Sequence, residues 1–161
     1  MKNMKKNAVI GLGNPLRRDD GIGILILKRL DEIKKRFPDD IEFIDGGTGG
    51  FNLFHIISKY NSVLIIDGIY LDLNPGESKL LNFYDIDSSK KKTLNISTHE
   101  EDFLKIISIA RKIKNKPEKI YIYGIQPKNT GLGNSLSKEI KKNIGKYTRE
   151  LEEIINDLFV G

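Results

Sequence analysis

The sequence predicts an α/β fold, a three-layer α/β/α sandwich around a mainly parallel, twisted sheet of about five strands. Short apolar runs such as 63–66 and 119–125 alternate with longer segments whose apolar residues recur at helical spacing. This alternation is typical of strands joined by crossover helices, which cover both faces of a parallel sheet. The chain has 161 residues and no Pro-, Gly- or Ser-rich linker, so residues 1–161 are expected to form one domain.

The first half of the chain alternates strands with helices. The expected elements are a strand at 7–12, a helix at 20–36, a strand at 41–45, a short helix at 51–59 and a strand at 63–66. In the first helix, Ile22, Ile26 and Leu30 recur at near-helical spacing, and Pro38 lies just beyond its end. Each of the three strands runs into a segment that contains glycine, which favours turns at these points.

The second half continues the alternation less regularly. The expected elements are a strand at 78–84, a polar loop at 90–92, a short strand at 94–96, a helix at 100–114, a strand at 119–125 and a closing helix at 136–158. The segment 78–84 follows an Asn-Pro-Gly turn, and one interpretation makes it an antiparallel edge strand. The closing helix carries one apolar stripe from Ile140 to Leu158.

Composition excludes several classes of protein. The chain has no cysteine, so disulfides, thiolate zinc sites and cysteine nucleophiles are excluded. Its apolar runs, such as 22–27, are far too short to span a membrane, and no secretory signal follows the basic N-terminus. We therefore expect a cytoplasmic protein without a membrane partner.

The net charge of +5 does not by itself indicate nucleic-acid binding. The lysines are scattered over several segments, a distribution typical of a solvated surface, so no nucleic-acid partner is expected. A basic surface can still attract an acidic protein partner.

The most informative segment is 11–23, GLGNPLRRDDGIG. Gly11 and Gly13 permit backbone conformations and close approaches that a side chain would block. Asp19 and Asp20 follow at the expected start of a helix, where carboxylates either cap free N–H groups or point into the crevice beside the strand end.

Three polar side chains each follow a predicted strand: Asp20, Asp67 and His99. Strand ends at one edge of an open α/β sheet converge on a common crevice, so these groups are expected to meet there. Two carboxylates and an imidazole suit a divalent transition ion, and they also suit acid–base chemistry around a bound water. Each has a structural alternative: Asp20 as a helix cap, Asp67 as a turn residue and His99 as a neighbour of a capping residue.

Three other features carry weaker signals. Asp45, which precedes the turn 46–50, is a fourth and weaker candidate for the site. His55 is interpreted as structural or as a surface residue. The tetrapeptide GLGN recurs at 131–134, but its flanking residues differ, which favours chance over a repeat.

Two alternative functions fit the glycine turn less well. A dinucleotide-binding module would need glycine at position 16 for the GxGxxG fingerprint, but Leu16 stands there. Its helix N-terminus would also meet two carboxylates beside the pyrophosphate. The segment GLGNP is similar to the start of peptidyl-tRNA hydrolases, which are esterases. The Arg-His-Asn segment that supplies their catalytic histidine is replaced here by Arg-Arg-Asp-Asp.

Four motifs together resemble the maturation endopeptidases of nickel–iron hydrogenases. These motifs are GLGNPLRRDDGIG, IDGGTGG, LIIDGIY and STHEEDF, and they occur in this order over most of the chain. The resemblance implies a single α/β domain that removes a C-terminal extension from the hydrogenase large-subunit precursor after nickel insertion. It therefore implies a peptidase whose partner is that precursor, with a monomer as the expected state.

The same resemblance implies which residues contact nickel. The nickel-contacting positions of the family correspond to Asp20, Asp67 and His99, and the motif with Asp45 lies near the cleft. Nickel is then carried by the precursor rather than held permanently, and it serves as a recognition element. Whether it is also the catalyst stays open. The pair Glu100-Glu101 after the histidine is a departure from other members of the family.

Overall fold

The centre of the molecule is a five-stranded sheet. The computed structural model describes residues 6–49, 51–85 and 116–159. The strands are β1 (Asn7–Gly11), β2 (Ile41–Asp45), β3 (Ser62–Gly68), β4 (Ser78–Asn82) and β5 (Lys119–Ile125), in the spatial order β2-β1-β3-β5-β4. Strands β2, β1, β3 and β5 run parallel, and β4 is antiparallel to β5. The mainly parallel sheet is confirmed, with β4 as its antiparallel edge.

Helices cover both faces of the sheet. They are α1 (Ile22–Glu32), α2 (Phe51–Ile57), α3 (Lys138–Lys141) and α4 (Ile144–Phe159), with 3-10 helices at Arg18–Gly21, Lys34–Arg36 and Phe83–Asp85. Alternate strand residues form two separate apolar clusters, as the period of two requires. Val9, Leu64 and Ile66 pack with α1 and α4, whereas Ile10 and Ile65 face the cluster that includes residues of α2. The three-layer prediction is confirmed.

The helix predicted at 20–36 is wrong at both ends. Before α1 the chain forms a 3-10 turn, in which Arg18 N and Asp19 N donate to the carbonyls of Gly133 and Asn129. Those carbonyls belong to a distant loop, so the contact was not readable from local sequence. After α1, Ile33 leaves the helical conformation with φ −110°, and a second 3-10 turn follows.

The closing helix predicted at 136–158 is two helices. The chain turns at Asn143, whose N–H donates to the Ile140 carbonyl in a tighter turn and whose side chain donates to the Glu139 carbonyl at 2.9 Å. A second helix, α4, therefore begins at Ile144, and the apolar stripe continues across the break between α3 and α4.

Three other predicted elements are shorter than expected, the first being the strand predicted at 7–12, which ends at Gly11. The strand predicted at 78–84 ends at Asn82, because the Asn82 side chain accepts from Tyr84 N and a 3-10 turn begins. The helix predicted at 51–59 ends at Ile57, after which Lys59 N and Tyr60 N bond in i to i−3 turns. The loop at 90–92, the strand at 94–96, the helix at 100–114 and His99 lie outside the described residues.

In the segments that the structure describes, no helix combines the length and the apolar character that crossing a membrane would require.

Candidate active site

The ends of three neighbouring strands lie at one edge of the sheet. Gly11 of β1 is in register with Asp45 of β2 on one side and with Ile66 of β3 on the other. Just beyond, Leu12 N donates to the Ile66 carbonyl at 2.9 Å, and Gly13 N donates to the Gly47 carbonyl at 2.8 Å. The loop after β1 is therefore bonded both to the end of β3 and to the loop after β2.

Glycine is required where these loops meet the start of α1. Gly13 has φ +138°, and a Cβ placed on it would lie 1.9 Å from the Asp20 carbonyl oxygen. A Cβ on Gly23 would lie 2.3 Å from the carbonyl oxygens of both Leu12 and Ile66. The missing side chains thus let the start of α1 rest directly on the strand ends.

Asp20 is half-buried at this edge and closes the first turn. Its carboxylate accepts a hydrogen bond from Asn14 N at 2.9 Å. Neither the 3-10 turn Arg18–Gly21 nor α1 has a side-chain cap, so the alternative role of Asp20 as a helix cap is wrong. The carboxylate instead stays at the sheet edge, part-exposed, where a ligand can reach it.

Asp67 lies on a segment that touches the one carrying Asp20. It is the last residue but one of β3 and is half-buried. The next residue, Gly68, packs so closely that a Cβ on it would lie 3.0 Å from the Asp19 carbonyl oxygen. Two of the three predicted ligands therefore come from adjoining segments at one edge.

His99 falls outside the described residues, so its position relative to the two carboxylates stays a prediction. Within ranges 6–49, 51–85 and 116–159, no group of three His, Asp or Glu side chains is arranged to hold a metal ion. The predicted three-residue metal site therefore requires His99 in addition to Asp20 and Asp67.

Asp45 and His55 take local roles. Asp45 is exposed, and its carboxylate accepts from Gly47 N at 2.9 Å, which shapes the turn that follows β2. That turn lies against the loop after β1, since Gly46 N donates to the Gly11 carbonyl. His55 is exposed on α2, with an edge contact to the Phe54 ring.

Asp19 is a residue whose role sequence reasoning missed. Its side chain is completely buried. One carboxylate oxygen accepts from Lys128 N, Asn129 N and the Ser137 hydroxyl, and the other accepts from Ser137 N, all at 2.7–2.9 Å. Burial raises the pKa of Asp19, but the bonds from Ser137, Asn129 and Lys128 outweigh burial and hold the pKa below its ordinary value. The carboxylate therefore ties the segment 128–137 to the residue beside Asp20.

The second GLGN lies directly against the first loop. Arg17 Nε donates to the Thr130 carbonyl at 3.0 Å, and the Arg18 guanidinium donates to the Leu132 carbonyl and the Ser135 hydroxyl. A Cβ on Gly133 would lie 2.8 Å from Arg18 Nε. Segment 129–135 is thus bonded to the turn that leads into Asp20, although its resemblance to 11–14 gave no reason to expect this.

Comparison with known proteins identifies the family. The model of the hydrogenase maturation protease family, HycI, matches residues 24–154. The chain belongs to this family. Family membership assigns the chain to the peptidases, a class of hydrolase.

Individual relatives agree with this assignment. The chain is 32% identical to a putative hydrogenase maturation protease, MJ0631, of Methanocaldococcus jannaschii, over 98% of this chain and 93% of the relative. It is 26% identical to the hydrogenase expression/formation protein HoxM of Azotobacter vinelandii, over 91% of this chain. The chain spans between 58% and 70% of the length of the first five curated relatives that it matches.

The fold is shared with a solved structure of an endopeptidase. The hydrogenase maturating endopeptidase HybD from E. coli superposes with a TM-score of 0.78, covering 94% of this chain and 93% of that one, at 24% identity. At this identity the comparison supports the fold: a five-stranded sheet flanked by helices.

Proposed function

We propose that this protein is the endopeptidase that removes the C-terminal extension of a nickel–iron hydrogenase large-subunit precursor after nickel insertion. The family relates the chain to hydrogenase maturation. The observation that carries the proposal is the placement of Asp20 and Asp67 on touching segments at one sheet edge, each accessible in part. In this proposal the enzyme is a cytoplasmic monomer that binds its precursor transiently.

The chemistry of the donor set fits a metal carried by the substrate. Asp20 and Asp67 offer carboxylate oxygens and His99 offers an imidazole nitrogen, a combination that suits a divalent transition ion. The chain has no cysteine, so no thiolate nucleophile attacks the peptide. Nickel in the precursor supplies Lewis acidity next to the scissile bond. The three side chains hold the precursor with that bond in the cleft, and a carboxylate is available to accept a proton from water.

The same arrangement explains substrate choice. A precursor without nickel gives Asp20, Asp67 and His99 no ion to bind, so its tail is not held in the cleft. Recognition and cleavage are thereby coupled to metal insertion. The glycine turn 46–49 is bonded to the first loop and exposed at Gly47, so in this proposal an extended peptide reaches the backbone there without obstruction.

The proposal is tested by incubating the purified protein with the large-subunit precursor from the same organism, prepared with and without nickel. Mass spectrometry of the products identifies any cleaved bond. We expect one C-terminal peptide from the nickel-loaded precursor and none from the nickel-free form. Equal cleavage of both forms would refute nickel recognition, and cleavage of neither would refute the proposed activity.

Variants test the three residues. Asp20→Asn, Asp67→Asn and His99→Ala are expected to lower kcat/KM by roughly a hundredfold or more, the range for losing a group that stabilises the reacting atoms. His55→Ala is the matched control, since it removes the other histidine, which is exposed on α2. If His99→Ala processes the precursor as fast as the wild type, His99 takes no part in the mechanism.

A further inference from the structure

Two leucines beside the candidate site are exposed to an unusual degree. Leu16 is 68% exposed and Leu132 is 84% exposed, whereas the next most exposed large apolar side chains in the described part of the chain, Leu80 and Tyr84, reach 38%. Single exposed leucines are common on protein surfaces and need no explanation. These two, however, lie together.

Backbone hydrogen bonds join the two segments that carry the leucines. Gly133 N donates to the Leu16 carbonyl at 2.9 Å and Arg18 N donates to the Gly133 carbonyl at 3.0 Å, which forms a parallel bridge between Arg17 and Gly133. Leu16 and Leu132 each come directly before this bridge, so the two exposed leucines lie on neighbouring, hydrogen-bonded segments.

This surface is held rigidly next to the proposed catalytic groups. Leu16 belongs to the turn that Asp20 closes through Asn14 N. The opposite loop is fixed by the buried Asp19 carboxylate and by the hydrogen bonds from Arg17 and Arg18. A partner that binds the leucines therefore meets a surface that is already ordered, which lowers the entropic cost of binding.

The charged side chains that follow Leu16 carry more exposed positive than negative charge. Arg17, Arg18 and Asp20 are half-exposed, while Asp19 is buried and hydrogen-bonded. Lys138, which follows the opposite loop in the chain, is a further exposed cation, whereas Lys128 is paired with Glu139 at 2.8 Å. A partner that fits this surface carries an apolar segment with acidic side chains beside it.

We propose that Leu16 and Leu132 form the docking surface for the hydrogenase precursor, and that they bind an apolar segment of it flanked by carboxylates. This inference rests on the proposed function. Leu16 belongs to the turn that the Asp20 carboxylate closes, so a chain bound at the leucines lies beside the segment that carries Asp20. Docking here positions the precursor without taking part in bond cleavage.

The test compares KM and kcat for nickel-loaded precursor among the wild type, Leu16→Ser and Leu132→Ser. Each variant is expected to raise KM roughly tenfold and to leave kcat within about twofold, since an interface leucine contributes binding rather than chemistry. Leu80→Ser, on the edge strand β4, is the control and is expected to keep the wild-type KM. Raising the salt concentration is expected to raise the wild-type KM severalfold, because the flanking charges are screened.

Two outcomes would contradict the docking proposal without contradicting the proposed function. If the wild type cleaves the precursor and both leucine variants keep its KM, the surface does not bind substrate. If sedimentation shows a wild-type dimer that Leu132→Ser dissociates while KM is unchanged, the surface binds a second copy instead. A wild type that cleaves no precursor would refute the proposed function itself. Unchanged thermal unfolding of the variants shows that a change in KM does not come from misfolding.

Discussion

At the scale of single residues, two adjacent aspartates serve different parts of the molecule. Asp19 is buried and accepts hydrogen bonds from residues 109 to 118 positions away, whereas Asp20 is half-buried and bonds within its own turn. The sequence places both at the start of a helix and gives no sign of this division. Only the folded chain brings the donors of segment 128–137 to one of the two carboxylates.

We predict that Asp19→Asn destabilises the protein by about 2–4 kcal/mol. The amide nitrogen of asparagine places a donor where the carboxylate accepted one, so at least one buried N–H loses its acceptor. Chemical denaturation at neutral pH measures the change in the free energy of unfolding. Asp31→Asn, an exposed position on α1, is the control and is expected to shift stability by less than about 0.5 kcal/mol. Equal stability of both variants would contradict the structural role of Asp19.

At the scale of elements, α4 is fastened to the antiparallel edge of the sheet by tyrosines. The buried Tyr147 donates to the Gly76 carbonyl in the turn before β4, and Tyr123 of β5 donates to Glu150 of α4. Burial raises the pKa of Tyr147 to about 12. The apolar stripe of the closing helix was readable from sequence, but these hydroxyl contacts were not, because they depend on how the helix lies across the strands.

We predict that Tyr147→Phe costs about 1 kcal/mol at neutral pH through loss of the hydrogen bond to Gly76. Tyr147 has a folded-state pKa above its ordinary value of 10, so its favourable contribution is complete below pH 10 and is lost as the pH rises toward 12. The gap in unfolding free energy between wild type and variant is therefore expected to shrink over this range. Denaturation curves at several pH values measure it, with the half-buried Tyr121→Phe as control. A gap that stays constant from pH 7 to 12 would contradict the assignment.

At the scale of the whole molecule, parallel strands gather distant residues at one edge. The register of β2, β1 and β3 places Asp45, Gly11 and Ile66 level with one another, and the close packing of Gly68 on Asp19 brings in the segment that carries Asp67. The contact between Gly68 and Asp19, for example, joins residues nearly fifty positions apart in the chain. The proposed site is thus a property of the sheet and not of any single motif.

We predict that a crystal soaked in cadmium chloride binds one ion that touches Asp20, Asp67 and His99. Two carboxylates and an imidazole offer the oxygen and nitrogen ligands that such ions accept. An Asp67→Ala crystal is expected to lose the ion, and an Asp45→Asn crystal is expected to keep it, because Asp45 bonds within its own turn. Separate ions on Asp20 and on Asp67 would show that the three groups do not form one site.

Much of the fold was readable because strands and helices have different apolar periods. The strands 41–45 and 119–125 were predicted with the bounds that the structure has, and the antiparallel edge strand was among the expected interpretations. Helix ends were predicted less well. The start of α1 and the break at Asn143 depend on bonds to a distant loop and on a local side-chain contact, which apolar spacing does not report.

The sequence by itself determined the α/β class, the glycine turn after β1 and the candidates at strand ends, because apolar periodicity and chain order carry that information. The tertiary structure decided that Asp20 caps no helix, that Asp19 is a buried anchor, and that the segments of Leu16 and Leu132 are joined by one backbone bridge. The physical reason is that the 3-10 turn that contains Asp20, the anchor and the bridge all depend on hydrogen bonds between segments far apart in the chain. Such bonds exist only once the sheet has brought its loops together.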